Sequence, residues 1–246
     1  MRKKLTGFTL AEALVTIGLI GVVAVLTMPN VFVTIQGDKW ASALGKNVET
    51  IERSCQNMVA EASSMGSTDF YGHYRIHKNF NGKDIGSTDA NTISGNNLWA
   101  AAGSRSVWGV NSMNSTQVTN YQNRLALYEY NSPKLNTLVG SNLVRNTKLG
   151  SIYGTGTASE TAKYEDPILG YIYIDVNGEK APNRYGRDIF LFGLTDACRM
   201  IPAGSERMRS VTGAKIDSST KACNDNIKNG LSCTNRVVQD GYKMKY

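Results

Sequence analysis

From Ala13 to Gly37 the chain carries no charged residue, and from Trp40 onward apolar positions recur in steps of three and four, at Trp40, Leu44, Val48, Ile51, Cys55, Met58 and Ala62. The first stretch predicts an apolar helix. Its 25 residues at about 1.5 Å each reach about 37 Å, enough to cross a hydrocarbon core of roughly 30 Å. The second stretch predicts an amphipathic helix, because those steps hold one stripe on one face while Lys39, Lys46, Glu49, Glu52, Arg53 and Glu61 take the opposite face. Such a stripe must bury itself against a partner surface. From Ser63 to about Thr161 the pattern weakens into Ser, Thr, Asn and Gly, broken by 97–100, 107–110 and 124–128, which read as short strands or a helix between long loops. Periodicity returns at Gly170–Asp175 and Asp188–Phe192, rich in β-branched and aromatic residues; with Asn177-Gly178 turn chemistry between them, they predict a hairpin-like pair of strands.

Composition narrows the class. The 246 residues carry 27 Lys+Arg against 20 Asp+Glu, a net charge of +7, and suit one folded domain with an appendage. A charged fraction of 19%, below the roughly 25% of soluble domains, argues against disorder driven by charge. Arg2, Lys3 and Lys4 supply three of the seven surplus charges, so the balance points to no nucleic-acid partner. Those three residues ahead of the apolar span orient it, with the N-terminus in the cytoplasm and the remainder outside. The stretch Val23 to Pro29 offers no small-residue cleavage site, so the span stays on the chain rather than leaving as an ordinary secretory signal.

Glu12 is the anomaly, since a carboxylate at the start of a membrane span persists only with a partner or a purpose. No basic residue follows it within the span. One reading places Glu12 at headgroup depth, where it marks the beginning of the apolar segment. The octet Gly7-Phe8-Thr9-Leu10-Ala11-Glu12-Ala13-Leu14 behind a short basic leader resembles the class III leader of type IV pilins and type II secretion pseudopilins, and it implies another.

That resemblance implies cleavage by prepilin peptidase between Gly7 and Phe8, followed by N-methylation of Phe8, which retains its positive charge. It also implies that Glu12 pairs with the N-terminal ammonium of a neighbouring subunit, which makes the carboxylate an assembly contact. Ala11 and Ala13 are smaller than the residues common beside this glutamate in the family. Gly21 and Pro29 stand at the family's positions, where the segment between them melts during filament assembly. Independently, glycine weakens a helix and proline removes a backbone donor, so the chain has a place to bend there; alternatively Pro29 simply ends the membrane helix. The implied fold is α+β and pilin-like, a long N-terminal helix with a transmembrane half and an amphipathic half packed on an antiparallel β-sheet head. Residues 1–7 are then a leader, 8–36 a transmembrane and assembly helix, and 37–246 a periplasmic or extracellular head.

Oxygen donors recur at Asp175, Asn177, Glu179, Asn183 and Asp188, a spacing similar to hard-cation loops and to the calcium site of some major pseudopilins. Gly178 comes too early for an EF-hand and no closing bidentate glutamate follows, so calcium and a purely structural turn are both open. The cysteines, Cys55, Cys198, Cys223 and Cys233, form no C-x-x-C and have no histidine nearby, which disfavours zinc and thioredoxin chemistry. Export permits disulfides. Cys223 and Cys233 flank an Asn229-Gly230 turn, and closing that loop is worth roughly 2.8 kcal/mol by chain entropy; pilins commonly close a C-terminal loop this way. Cys55 lies on the apolar stripe, where a bond to Cys198 and a buried free thiol are both compatible with the pattern.

Catalysis finds no foothold. His73 and His77 share a helical spacing but no supporting acids, and no nucleophile elbow, Walker loop or dinucleotide fingerprint occurs. The expected function is therefore structural, not enzymatic, with no required cofactor. The chain is expected to be a single-pass inner-membrane subunit that polymerises with other pilin or pseudopilin subunits into a type IV pilus or type II secretion pseudopilus. The competing expectation is a minor pilin whose head captures DNA or a surface through Arg199, Arg207, Arg209, Lys215 and Lys221.

Overall fold

The computed structural model describes residues 9–63, 110–126, 143–157, 168–195, 197–208, 210–211, 214–215, 223 and 230–244. Helix α1 (Leu10–Ser63) runs unbroken for 54 residues through the apolar stretch and the amphipathic one. Pro29 therefore does not end the membrane-type helix, and the backbone stays helical between Gly21 and Pro29. Proline's fixed φ is itself helical, so a proline within a long helix costs a backbone hydrogen bond without ending it.

Among the described residues six strands pair in sequence order into one sheet: β1 (Val110–Ser112), β2 (Leu143–Asn146), β3 (Ile152–Thr157), β4 (Ile168–Asp175), β5 (Ile189–Thr195) and β6 (Met200–Pro202). Every neighbour is antiparallel, in the order β1-β2-β3-β4-β5-β6. Helix α2 (Ser115–Ala126) lies between β1 and β2 in sequence, a small ribbon of β7 (Ser210–Val211) and β8 (Ala214–Lys215) follows the sheet, and a 3-10 turn leads into α3 (Cys233–Gln239). The α+β class expected from the sequence is what the chain adopts, an apolar N-terminal helix followed by an antiparallel sheet.

Alternation along the central strands creates two faces. Ile172 and Ile174 of β4 and Phe190, Phe192 and Leu194 of β5 meet the α1 stripe Ala41, Leu44, Val48, Ile51 and Cys55. Tyr173, Ile189 and Leu191 face the other way, against Val118 and Tyr121 of α2. Ile168 belongs to this second cluster although its parity matches Ile172, because a bulge between Ile168 and Gly170 shifts the register and turns the side chain over. Strand β5 is buried at all seven positions, which accounts for its almost uninterrupted apolar run.

Polar bridges fix α1 on this sheet. Tyr153 donates its hydroxyl hydrogen to Asn47 Oδ1 and accepts from Asn146 Nδ2, and burial pushes the phenol pKa up to about 12. The Met200 N–H donates to Glu52 Oε1 at 2.9 Å. Beyond α3 the C-terminal strap returns to α1, with Tyr242 over Gly45 and Met244 over Gly37; a Cβ on these glycines would approach the strap to 3.2 and 3.3 Å. The head is thus gripped to α1 from residue 37 upward, and α1 below that level is left bare.

Candidate functional site

The bare half of α1 is the first candidate. Leu10–Met28 is long and apolar enough to cross a membrane, and none of it is covered by the rest of the chain. Burying so many large apolar side chains, Leu14, Ile17, Leu19, Ile20, Val25 and Leu26 among them, requires lipid or other protein, at about 25 cal/mol for each Å² removed from water. A Cβ at Gly21 would meet nothing within 4 Å, so no packing among the described residues demands glycine there.

Glu12 has a local partner that reading it as an isolated charge overlooks. Its Oε2 accepts the Thr9 N–H at 2.9 Å and the Thr9 hydroxyl at 2.8 Å, while the Glu12 N–H donates back to Thr9 Oγ1 at 3.3 Å. This is a reciprocal capping box, which satisfies two of the donors stranded at a helix start. The signature, Thr9 followed three residues later by an acid and then an apolar run, is visible in the sequence. Gly7 and Phe8, the expected processing residues, lie outside the described residues, as do His73 and His77.

The oxygen-rich run 176–188 joins β4 to β5, whose strands pair antiparallel as expected. The Asn177-Gly178 turn only begins that connection, which continues through a cis Ala181-Pro182 bond and Asn183 at φ 51°. Gly178 sits at φ +70°, and a Cβ there would meet the Gly150 carbonyl oxygen at 2.6 Å, so the loop requires glycine both for its backbone and for its contact with the β2–β3 turn.

The five expected ligands are differently engaged. Asp175 is fully buried; its Oδ2 accepts the Tyr121 hydroxyl at 2.6 Å, that hydroxyl lies 2.6 Å from the Tyr173 hydroxyl, and its Oδ1 accepts the Asn177 N–H at 3.1 Å. Both oxygens of Asp188 are capped at 2.7 Å by the N–H groups of Asn183 and Arg184. Glu179 turns away to Arg145 and Arg124, the latter at 3.3 Å. Asn177 donates its amide to the Ala181 carbonyl. The oxygens left over are Asn177 Oδ1 and Asn183 Oδ1, which are buried and accept no hydrogen bond. Among the described residues no three His, Cys, Asp or Glu groups gather as metal ligands, and calcium takes about six to eight oxygens.

Electrostatically the cluster is under pressure. Burial, joined by the charge of Asp188, pushes the Asp175 carboxyl well above the ordinary carboxylate range against the pull of its hydrogen bonds. Burial likewise raises Asp188 to about 6. Tyr121 is raised by burial first and by the Asp175 charge next. Two buried carboxyls face one another with hydrogen-bond donors around them, and the proton is the simplest counter-charge.

Both disulfides form, Cys55–Cys198 and Cys223–Cys233, with Cα separations of 5.5 and 5.0 Å. The first, for which the sequence left a free thiol open, ties α1 to the β5–β6 turn; the second ties the segment before α3 to its first residue. Of the basic candidates, Arg199 lies in the β5–β6 turn, Arg207 in the turn after β6 and Lys215 on β8, whereas Arg209 and Lys221 lie outside the described residues. Comparison with family models, with curated proteins and with solved structures yields no match for this chain.

Proposed function

We propose that this chain is a prepilin-type subunit, anchored in the inner membrane by the first half of α1 and polymerising through that helix into a type IV pilus or type II secretion pseudopilus, with its head displayed outside. One observation carries the reading: a single helix is bare and apolar over Leu10–Met28 and then, without a break, disulfide-bonded and packed onto an antiparallel sheet. A cleaved signal sequence would not need to be continuous with the core helix of the folded domain. The leader residues supply the rest of the argument, because the resemblance places the peptidase cut between Gly7 and Phe8, immediately before the Thr9 cap.

Processing is the test. Co-expressed with a prepilin peptidase, the chain should lose residues 1–7 and gain one methyl group on Phe8, and Gly7→Val should block both. Intact mass measurement that finds Met1 retained in cells processing other prepilins would overturn the proposal.

A further inference from the structure

From Leu44 upward the head holds α1 by several independent contacts: the buried stripe Leu44, Val48 and Ile51, the Tyr153 bond to Asn47, the Met200 bond to Glu52 and the Cys55–Cys198 disulfide. Lower down the contacts thin out. From residue 34 to residue 39 only Gly37 is buried, and the atoms nearest to a Cβ built there all belong to Met244. The C-terminal strap is thus what covers the helix just where its uncharged run, Ala13 to Gly37, comes to an end.

The strap is aimed at this seat by its own backbone. Past the end of α3 the Gly241 N–H donates to the Val238 carbonyl at 3.1 Å and the Tyr242 N–H to the Val237 carbonyl at 2.8 Å, and Gly241 and Tyr242 take left-handed φ values of 68° and 59°. Glycine is at ease there and tyrosine is not, so the surroundings have to hold Tyr242 in place. Its ring lies over Gly45 and Met244 lies over Gly37, about two helical turns apart. Each of these glycines weakens a helix about fivefold relative to alanine. The residues that admit the strap are therefore the ones that leave the helix easiest to bend. At the same level Ile35, Lys39 and Ala43 line an open groove of about 550 Å³ with Lys148 and Leu149 of the β2–β3 turn, which is room for the head to tip towards the helix.

We propose that the C-terminal strap, Tyr242 to Met244, is a clasp that keeps α1 straight at Gly37, where the helix passes from its bare half to its gripped half, and so fixes the pitch of the head on that helix. Seated, the strap makes the head and the bare helix one continuous body. Lifted, it leaves Gly37 as a hinge about which the head tips towards the groove, while the disulfide and the sheet contacts from Leu44 upward stay as they are.

Genetically encoded nitroxide amino acids at Phe32 and Gln56, both exposed on α1 on either side of Gly37, leave all four cysteines paired, and pulsed electron spin resonance on the full chain in detergent reads the distance between them. A straight helix sets it at about 36 Å, and the wild type should give one narrow distribution there. Met244→Ala should add a shorter, broad population. Met244→Leu, which keeps the volume, should not, and Gly37→Ala in the Met244→Ala background should cut the bent population by about fivefold. The head should keep its cooperative melting in all three variants. Narrow distributions in Met244→Ala and the wild type alike, a broad one already in the wild type, or a head that no longer melts cooperatively once Met244 is cut back would each overturn the clasp. None of these outcomes touches the span or the processing of the leader.

Discussion

Acidification from about pH 7.5 to about pH 4.5 should stabilise the folded head, contrary to the common loss of stability when paired carboxylates are protonated. The cause is the buried pair at the β4–β5 junction. Asp188 titrates near 6 in the folded chain against an ordinary 3.8, so between these values the folded state holds a proton that the unfolded state has released. Unfolding free energy therefore rises as pH falls through 6 and levels off below 3.8. The gain works out to about 2 kcal/mol at pH 4.5, with a limit of about 3 kcal/mol at lower pH. Asp175, raised by burial and by Asp188, acts in the same direction. Glu179 with Arg124 and Arg145 also lies near the cluster; that pairing is partly exposed, and weakening it costs little. For a chain of this size the expected shift in melting temperature is about 4–8 °C upward, readable by circular dichroism on the full chain in detergent.

Asp175→Asn isolates the mechanism. The amide keeps an oxygen for the Asn177 N–H and turns its own N–H to the Tyr121 oxygen, while one of the two facing charges disappears. Stability at neutral pH should hold or rise, and the acid gain should shrink to the part that burial of Asp188 alone supplies. A wild-type melting temperature that is flat or declines across this range, with both disulfides intact, would refute the reasoning.

Glu12 separates into two roles by substitution: Glu12→Gln keeps the capping box but removes the charge, whereas Glu12→Val removes both. If the carboxylate pairs with a neighbour's ammonium, both variants should insert in the membrane and both should fail to enter sheared filaments; normal filament yield from Glu12→Gln would leave only the cap. Cys198→Ser should lower stability by about 2–4 kcal/mol, because a bond across a sequence separation of 143 closes a long loop in the unfolded chain; equal denaturation midpoints for the variant and the wild type would show that the bond contributes nothing. Millimolar calcium or a chelator should leave the melting temperature unchanged, since Glu179 and both Asp188 oxygens are already engaged, and a calcium-specific rise exceeding that from magnesium would assign an ion to Asp175, Asp188 and the two free asparagine oxygens.

The parts of the fold legible in the sequence are those whose order is local. Steps of three and four announce the α1 stripe because consecutive helical turns bring those positions to one face, and Leu44, Val48, Ile51 and Cys55 are indeed buried. The β4 and β5 runs are legible because both faces of the central sheet are covered. Helix α2 was hidden by its polarity, although it too begins with a reciprocal cap, Asn114 and Gln117 bonding to each other's N–H at 2.9 and 3.0 Å, followed by Val118 and Tyr121 on one face. Strand β2 is four residues long and β3 carries glycines at alternate positions, so neither shows a period that stands above its Ser- and Gly-rich surroundings.

The polar cluster marks where such reading stops. Asp175 meets Tyr121 across 54 positions and Glu179 meets Arg145 across 34, and nothing in a tyrosine or an arginine taken alone announces either partner. An even spacing of oxygens along 175–188 suggests a cation because, in a loop wrapped around an ion, neighbours in sequence are neighbours at the metal. Here the connection bonds to itself through Asp188, Asn183, Arg184, Asn177 and Ala181, while Asp175 and Glu179 also take partners from α2 and β2. The sheet brings those elements together, and burial then leaves the carboxyls short of solvent and dependent on protons and hydroxyls. The spacing alone therefore does not distinguish a cation loop from a structural turn; what the fold adds is that Tyr121, Arg124 and Arg145 from α2 and β2 already engage Asp175 and Glu179.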